Sequence, residues 1–330
     1  MWVTSSTTMA LMPTSVALGN FDGVHRGHQQ VIREVFSVAD SISVASSASA
    51  KGTPESRIEI DRRANADRIC RTVVTFHPHP QEFFSGQPRT YLTPLPEKEE
   101  QIRALGIDWL VLLPFDAQLA ELTPQAFVEE ILVRQLRARQ VSVGRDFRFG
   151  YKRAGTAEDL QHIAAGYGIA TRIVSLKLQA GERISSSKIR LALSEGNIAR
   201  ANQLLGRSYS LSGTVEKGQQ LGRTLGFPTA NLNLRADKFL PRWGVYSVFV
   251  DTPEVKNRPG VMNIGCRPTV DGARPSVEVH LLEWSGDLYG QTATVRLQDF
   301  LRPEQKFASL DALKAQIQKD CDRAKSELVL

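Results

Sequence analysis

The stretch TSVALGNFDGVHRGHQQVI, residues 14–32, decides the fold of the first half of the chain. A short apolar run is followed by a turn rich in glycine and polar residues, and then by an apolar helical pattern. This order predicts a strand, a turn and a helix. His25 and His28 stand three residues apart at the expected start of the helix. Backbone N–H groups and the partial positive charge of a helix N-terminus suit a phosphate there.

The histidine pair alone leaves other interpretations open. The two side chains could be ordinary surface residues, or they could be two ligands of a metal ion. The sequence offers no third Cys, His or carboxylate at zinc-ligand spacing, which disfavours the metal. In the phosphate interpretation, each preorganised donor contributes about 3–4 kcal/mol in a closed site. Gly27 would then let the ligand approach the backbone closely.

Residues 14–195 alternate apolar runs with helical patterns, which is typical of a parallel, doubly wound sheet. The predicted strands are TSVALG (14–19), RTVVTF (71–76), DWLVLLPF (108–115), QVSVG (140–144) and ATRIVSL (170–176). The predicted helices are PEKEEQIRALG (96–106), TPQAFVEEILVRQL (123–136) and TAEDLQHIAAGYG (156–168). Thr123 and Thr156 are expected N-caps of the last two, and Gly168 is an expected stop.

From about Arg207 the pattern changes to period-two alternation between Gly, Pro and Asp clusters, which indicates an antiparallel barrel. The clearest runs are GVYSVFV (244–250), SVEVHLLEW (276–284) and TATVRLQ (292–298). The chain closes with a predicted helix over 309–328, which Ser309 can cap. Its expected apolar stripe consists of Leu310, Leu313, Ile317, Cys321, Ala324 and Leu328.

These patterns predict two domains, 1–195 and 207–330, joined by a linker helix at 196–206. Residues 40–70 begin rich in Ser and Ala, turn charged and show little periodicity, so we interpret them as an insertion.

Composition excludes several classes of protein. The 330 residues are 42% hydrophobic and 23% charged, as in an ordinary globular protein. No apolar run approaches the roughly 20 residues of a membrane helix, and the N-terminus does not resemble a secretion signal. Three scattered cysteines fit a reducing cytoplasm. The formal charge of +6 fits an anionic ligand or a mildly basic surface, and the absence of a dense basic block with aromatics disfavours nucleic acid.

Motifs along the chain add a resemblance to this pattern. GNFDGVHRGH (19–28) closely resembles the HxGH signature of the nucleotidyltransferase superfamily, in the form found in bacterial FAD synthetases. TFHPHP (75–80), VGRDFRFG (143–150) and ISSSKIR (184–190) are similar to that family's other motifs, in its order. GQQLGRTLGFPTANL (218–232), with GVYSV, NIGCRPT, VEVHLL, GDLYG and FLRPEQKF, resembles riboflavin kinase. Together they resemble the prokaryotic bifunctional riboflavin kinase/FAD synthetase family.

The resemblance implies a Rossmann-like nucleotidyltransferase domain, which joins FMN to the AMP part of ATP and releases pyrophosphate. His25 and His28 would be catalytic and bind the ATP phosphates. The same resemblance assigns ATP or phosphate binding to Asn20, Phe21, Asp22, Gly23, Gly27, Asp146, Ser185, Ser186, Ser187, Lys188 and Arg190. Taken without the resemblance, the serines could simply cap a helix, and Asp146 could cap a turn.

The second half would be a six-stranded β-barrel with a C-terminal helix, phosphorylating riboflavin to FMN with ATP. It has no GxxxxGK[ST] motif, so it is not a P-loop kinase. The resemblance assigns phosphate binding to Gly218, Gly222, Arg223, Gly226, Phe227 and Pro228, and the Mg²⁺ ligands to Thr229 and Asn231. Judged alone, the glycines could serve a hairpin turn.

Glu278 is the expected base that accepts the ribityl hydroxyl proton. It shares a face of its predicted strand with His280 and Leu282. The alternation alone also permits an outward-facing glutamate, whereas a match to the family's catalytic glutamate favours an inward face, where a carboxylate needs a partner.

The chain departs from the family pattern at three positions. Ser187 stands where threonine is usual, His77 where glutamate is frequent, and Cys266 where threonine is common. We expect His79 to help at the nucleotide pocket and assign no role to His77.

Two rival functions are a transferase whose barrel only binds flavin and a non-catalytic flavin- or nucleotide-binding regulator. The presence of both histidines, PTAN and Glu278 argues against them. The sequence leaves self-association open.

Overall fold

The computed structural model describes residues 1–5, 12–37, 69–175, 178–179, 182–218, 222, 225–269 and 272–328. The predicted insertion at 40–70 lies almost entirely outside the described residues, and so does Arg223.

The chain divides into two compact units. The first consists of Met1–Arg89 and Leu95–Ile184, and the second of Thr90–Pro94 and Ser185–Leu330. The sequence-based boundary after residue 195 differs from this division. Both the helix that begins at Ser186 and the predicted linker helix fall in the second unit.

The first unit contains a six-stranded parallel sheet. Its strands are β1 Trp2–Thr4, β2 Thr14–Leu18, β3 Cys70–His77, β4 Trp109–Pro114, β5 Ala138–Gly144 and β6 Ala170–Val174. They lie in the order β1-β4-β3-β2-β5-β6, and every pairing is parallel. The five predicted strands and the doubly wound fold are therefore confirmed. Strand β1 was not predicted, because three residues with an 80%-exposed Trp2 carry no burial signal.

Helices connect these strands. They are α1 Arg26–Arg33, α2 Pro80–Ser85, α3 Leu95–Ala104, α4 Ala117–Glu121, α5 Pro124–Phe127 and α6 Ala157–Ala165. Thr123 and Thr156 cap α5 and α6 as predicted, since their hydroxyls accept from backbone N–H groups. Helix α6 ends earlier than predicted, at Ala165, and Gly168 follows in the next turn with φ +70°. A short hairpin, β7 Leu178–Gln179 and β8 Glu182–Arg183, completes this unit.

The predicted helix over 123–136 is not a single α-helix. After α5 it continues as a π-helix, Val128–Gln135, and the N–H of Leu136 bonds the carbonyl of Ile131 at 2.9 Å. The wider turn puts residues four and five apart on one face. Val128, Leu132 and Leu136 are all fully buried there.

The second unit contains helices α7 Ser186–Glu195 and α8 Ile198–Leu205, followed by a closed antiparallel barrel. The barrel strands are β9 Ser210–Glu216, β10 Ala230–Leu234, β11 Gly244–Asp251, β12 Arg258–Thr269, β13 Gly272–Leu281 and β14 Thr292–Arg302. They close in the order β10-β13-β12-β11-β14-β9. The six-stranded barrel expected from the resemblance is confirmed.

Helix α9, Leu310–Leu328, packs on the outside of this barrel. Cys321 and Ala324 are buried against Val245 and Val261, with Ile317 and Leu328 at the margin. The Ser309 hydroxyl accepts from the Ala312 N–H at 3.2 Å, as the capping prediction requires. The predicted stripe is wrong at one end, since Leu310 is 68% exposed. It lies in the first turn, before the helix reaches the barrel surface.

His79 caps helix α2. Its Nδ1 accepts from the Gln81 N–H at 3.1 Å, while the Glu82 carboxylate accepts from the His79 N–H. Burial, followed by the nearby Arg89 guanidinium, lowers the pKa of His79 from 6.5 to about 4. His79 is therefore a neutral structural cap at neutral pH.

A buried ion pair should fix α9 to the barrel. The Arg302 guanidinium meets the Asp320 carboxylate at 2.8 Å, and Asp320 is 5% exposed. We expect Asp320→Ala to destabilise the second unit by about 3 kcal/mol, because it leaves the largely covered Arg302 guanidinium without its carboxylate. The control Asp299→Ala removes an exposed partner of Arg323 and should cost no more than about 1 kcal/mol. Chemical denaturation measures both, and equal losses would contradict the assignment.

The His79 cap makes stability depend on pH. Between about pH 6.5 and 4 the unfolded chain binds a proton that the folded chain does not, so acidification lowers the free energy of unfolding. His79→Asn keeps a cap oxygen but does not titrate. The wild type should therefore lose stability relative to His79→Asn between pH 7 and pH 5, measured by urea denaturation. A relative gain by the wild type on acidification would refute this.

Candidate functional site

The parallel sheet has a topological switch point at β2. The chain leaves β2 for β3 on one side, and later reaches β5 on the other side. Ligands of open α/β sheets bind in the crevice beyond the carboxyl ends of the strands at such a point. The turn after β2 carries His25, and the loop after β5 carries Asp146. The structure thus brings these two predicted site residues to neighbouring strand ends.

The turn between β2 and α1 has a strained backbone. Phe21 has φ 50°, Gly23 φ 88° and Val24 φ 41°. A bulky or β-branched residue in this region costs on the order of 1–3 kcal/mol. Burial offsets that cost, because Phe21 and Val24 are each 1% exposed within the core cluster of this unit. The fold therefore maintains an unusual backbone path immediately before His25.

The two histidines form one compact unit. His25 caps α1, since its Nδ1 accepts from the His28 N–H at 3.2 Å. The two imidazole rings stack with centroids 3.5 Å apart, and the Phe21 and His28 rings are nearly perpendicular with centroids 5.4 Å apart. A nitrogen that accepts carries no proton, so the neutral His25 ring holds its proton on Nε2. His25 can therefore donate one hydrogen bond.

The structure explains the glycine at position 27 differently from the sequence analysis, which expected it to make room for a ligand. A Cβ there would lie 3.2 Å from both Cε1 and Nδ1 of His25. The position leaves room for the capping imidazole, and any close ligand approach is additional.

Beneath the turn lies a lysine that the sequence analysis missed. Lys98 on α3 donates from Nζ to the Asn20 carbonyl at 2.9 Å, and the Thr75 hydroxyl donates to the same carbonyl at 3.0 Å. Burial lowers the pKa of Lys98 to about 8, and the Asp22 carboxylate opposes the shift. The available signal was its spacing, since Lys98 stands four residues before the buried Ile102.

Asn20 and Asp22 have buried polar atoms at this turn. Asp22 is 3% exposed, with the Arg89 guanidinium 4.0 Å from its carboxylate. Within the described residues, Asn20 Oδ1 is buried without a hydrogen-bond partner. A buried acceptor of this kind is costly unless a ligand donates to it. Asp146 is different, because it is exposed and pairs with Arg183.

An exposed aromatic patch was also missed. Phe76, Phe83, Phe84 and Phe115 pack edge to face at the carboxyl ends of β3 and β4. Phe84 is 71% exposed and Phe83 37%. The FF pair beside two prolines was the signal in the sequence, and an exposed cluster of this kind is typical of a binding surface.

The ISSSKIR residues open helix α7 in the second unit. Ser185 is its N-cap and accepts from the Lys188 N–H at 3.4 Å. The Arg190 guanidinium bonds the Thr90 carbonyl at 2.8 Å and stacks over Phe239. Ser186 and Ser187 lie in the first turn, so the geometry of the first unit does not include this motif.

The barrel brings the PTAN motif and Glu278 together. Asn231 on β10 pairs in register with Glu278 on β13. The Thr229 hydroxyl lies 3.4 Å from Glu278 Oε2, and the Ser276 hydroxyl lies 3.3 Å from Oε1. His280 contacts the Pro228 carbonyl at 2.8 Å and the Phe227 ring edge. These oxygen-rich side chains form a second polar site.

The expectation that Glu278 faces inward is wrong. His280, on the same face, pairs in register with Val261, which packs against the external helix α9. Val277 and Val279 occupy the opposite face and are buried. Glu278 therefore lies half-buried on the outer face of the barrel, where the segment that contains Thr229 contacts it.

The predicted glycine-rich segment lies beside this site. A Cβ at Gly218 would lie 2.2 Å from Asn231 Nδ2, so the backbone passes directly over that amide. The carbonyl of Gly222 accepts from the Phe227 N–H at 2.8 Å, and Gly226 lies between them with φ +90°. A tight turn thus leads the chain into PTAN.

Two further polar residues on this face were not predicted. Asn263 pairs in register with Glu278 across β12 and β13. The Glu304 carboxylate lies against the backbone of Gly265, where a Cβ would approach it to 1.9 Å. In the sequence, the only signal for the close approach of Glu304 to this strand was the glycine at position 265.

The described residues show neither a metal-binding cluster nor a membrane-spanning helix. They contain no group of three or more His, Cys, Asp or Glu side chains placed to hold a metal. None of the described helices is long and apolar enough to cross a membrane.

Known families and proteins match both halves of the chain. The FAD synthetase family matches residues 8–49 and 58–188, and the riboflavin kinase family matches residues 205–328. A solved structure described as a macrolide-efflux protein from Streptococcus pneumoniae is 29% identical, with a TM-score of 0.80 and 98% of each chain covered.

Curated relatives extend over nearly the whole chain. A bifunctional riboflavin kinase/FMN adenylyltransferase of Escherichia coli strain K12 is 41% identical over 92% of this chain and 90% of the relative. A protein of the same name from Listeria monocytogenes is 38% identical over 92% of this chain and 89% of its own. With both sites present and both families matched in order, the chain belongs to the bifunctional riboflavin kinase/FMN adenylyltransferase family.

Proposed function

We propose that this chain makes FAD from riboflavin in two ATP-dependent steps. The barrel phosphorylates riboflavin to FMN, and the parallel-sheet unit then adenylylates FMN. The observation that carries the proposal is the presence, in one chain, of a histidine-capped helix start at a switch point and a paired Asn231 and Glu278.

In adenylyl transfer, an oxygen of the FMN phosphate bonds to the α-phosphorus of ATP as pyrophosphate leaves. That oxygen is already ionised, so positioning and charge stabilisation supply the rate. His25 Nε2–H and His28 donate to the phosphoryl oxygens beside the N-terminus of α1. Asn20, Asp22 and Gly23 shape the turn. The buried Oδ1 of Asn20 accepts a hydrogen bond from the ligand.

The family resemblance supports further residues for binding ATP. We assign nucleotide binding to Asp146, which lies in the loop after β5. The hydroxyls and cations that open α7, namely Ser185, Ser186, Ser187, Lys188 and Arg190, bind phosphate oxygens.

The aromatic patch of Phe76, Phe83, Phe84 and Phe115 binds the isoalloxazine ring of FMN. Planar aromatic ligands stack on exposed rings, and this patch lies at the same edge of the sheet as the turn after β2.

In the kinase step, Glu278 accepts the proton of the terminal ribityl hydroxyl. The hydroxyl oxygen bonds to the γ-phosphorus of ATP, and the bond from that phosphorus to ADP breaks. A half-buried outer face suits this role, because riboflavin can reach the carboxylate there. The backbone from Gly218 to Pro228 binds the ATP phosphates.

The donor set around Glu278 fits Mg²⁺. Thr229 and Asn231 offer neutral oxygens beside a carboxylate, and Mg²⁺ completes its coordination with phosphate and water. Thr229 and Asn231 would hold the ion, which supplies charge neutralisation of the phosphates when bound.

The two activities should separate by mutation. His28→Ala should lower FAD formation at least about 100-fold by removing a phosphate donor while FMN formation continues. Glu278→Gln should lower FMN formation by a similar factor yet still convert supplied FMN to FAD.

Both activities are measured by incubating the purified protein with riboflavin, ATP and Mg²⁺ and separating FMN and FAD by chromatography. Loss of both activities in each folded variant would contradict two separate sites. A wild type that binds flavin without making FMN or FAD would be a regulator instead.

The aromatic patch makes a separate prediction. Phe84→Ala should raise KM for FMN about 5- to 10-fold in FAD formation, through lost ring contact, with riboflavin phosphorylation unchanged. Tyr167→Ala, an exposed aromatic outside the patch, should change neither. An unaltered KM for FMN in Phe84→Ala would exclude the patch as the flavin site.

A further inference from the structure

Helix α3 places a lysine among apolar neighbours. Lys98 stands between Leu95 and Ile102 on the buried face, and both of these pack in the core cluster of the first unit. Lys98 itself is 6% exposed. Taking an ammonium out of water costs several kcal/mol unless polar groups replace the water. Packing alone therefore does not explain a lysine here.

The ammonium of Lys98 meets the turn that leads to His25. Nζ lies 2.9 Å from the Asn20 carbonyl oxygen and 3.5 Å from the Thr75 hydroxyl, which donates to the same carbonyl at 3.0 Å. One carbonyl thus accepts from two elements, helix α3 and strand β3. A hydrogen bond from a charged donor is stronger than one between neutral groups.

Fixing this carbonyl fixes the peptide plane that starts the turn. In a trans peptide the carbonyl and the following N–H point in opposite directions. With the Asn20 carbonyl held toward Lys98, the N–H of Phe21 points the other way. Phe21 then takes its positive φ, and the chain proceeds through Val24 to His25.

The charge of Lys98 also acts on this turn. The buried Asp22 carboxylate lies close enough to favour the charged ammonium, and Arg89 approaches the same carboxylate. Without these cations a buried carboxylate would repel the phosphates of ATP.

We propose that Lys98 is a positioning residue of the adenylyl-transfer site, which holds the Asn20 carbonyl and thereby sets the turn that presents His25 and His28 to ATP. The inference rests on the proposed function of that site. Lys98 acts through the turn and does not itself touch the reacting phosphate.

Three variants test the proposal. Lys98→Met keeps the length of the side chain without its charge, and Thr75→Val removes the second donor to Asn20. Ile102→Val perturbs the same buried face of α3 and leaves both hydrogen bonds to the Asn20 carbonyl in place. Formation of FAD from FMN and ATP is measured per folded molecule, with riboflavin phosphorylation by the same chain as the internal reference.

Lys98→Met should lower kcat for FAD formation about 10- to 100-fold, the worth of a lost charged hydrogen bond. KM for FMN and riboflavin phosphorylation should stay at their wild-type values. Thr75→Val should act in the same direction and less strongly, and Ile102→Val should leave kcat unchanged.

A double-mutant cycle separates positioning from general destabilisation. If Lys98 acts through the histidines, Lys98→Met should have little further effect in the His28→Ala background. A wild-type kcat in Lys98→Met, or an undiminished loss in the His28→Ala background, overturns the proposal. If Lys98→Met does not fold, the double-mutant cycle of Thr75→Val with His28→Ala tests the proposal by the same criterion. A wild type that forms no FAD overturns the proposed function itself, which is a distinct result.

Discussion

One hydrogen bond, from the backbone N–H of His28 to Nδ1 of His25, organises the candidate adenylyl-transfer site. It caps helix α1, so a helix N-terminus with its partial positive charge begins at the crevice of the sheet. It also places the proton of neutral His25 on Nε2 and holds the two rings in a stack. Gly27 is required by the same contact, since a side chain there would press on the imidazole. The residue that caps α1 is thus also one of the two proposed phosphate donors, so the cap and the proposed site share one structural feature.

Much of this unit could be predicted from sequence because its signals are local. Continuous apolar runs mark β2 to β6, and Thr123 and Thr156 cap helices by side-chain bonds that span three residues. Lys98 and Phe84 could not be assigned in the same way. Lys98 donates to a carbonyl 78 residues earlier in the chain. Phe84 belongs to the aromatic patch through its ring contact with Phe115, which follows a different strand. Long-range contacts decide these positions, and the local pattern of charge and hydrophobicity does not report them.

The barrel shows a different limit of sequence reasoning. Period-two alternation correctly put Glu278 and His280 on one face, but it does not say which face is inside. The match to the family's catalytic glutamate favoured the inner face, and that expectation was wrong. The outer face is also covered, by α9 around Val261 and by the PTAN segment around Glu278. In a small barrel with an external helix, both faces are partly buried, and an isolated charge on a strand therefore has two places in which to be sheltered.

Two buried charges show how structural and functional roles differ in this chain. Asp320 faces the Arg302 guanidinium through several short hydrogen bonds, so its charge is balanced by a direct partner and serves to attach α9. Lys98 donates to the Asn20 carbonyl and lies beside the Thr75 hydroxyl, and the Asp22 carboxylate favours its charged form. The hydrogen bond from this charged donor fixes the Asn20 carbonyl, so Lys98 acts on the path of the turn. That charge lies under a strained turn beside a buried Asp22, at the crevice where a polyphosphate is proposed to bind. Burial lowers the pKa of Lys98 because its ammonium form loses solvation there, and the nearby Asp22 carboxylate opposes that shift.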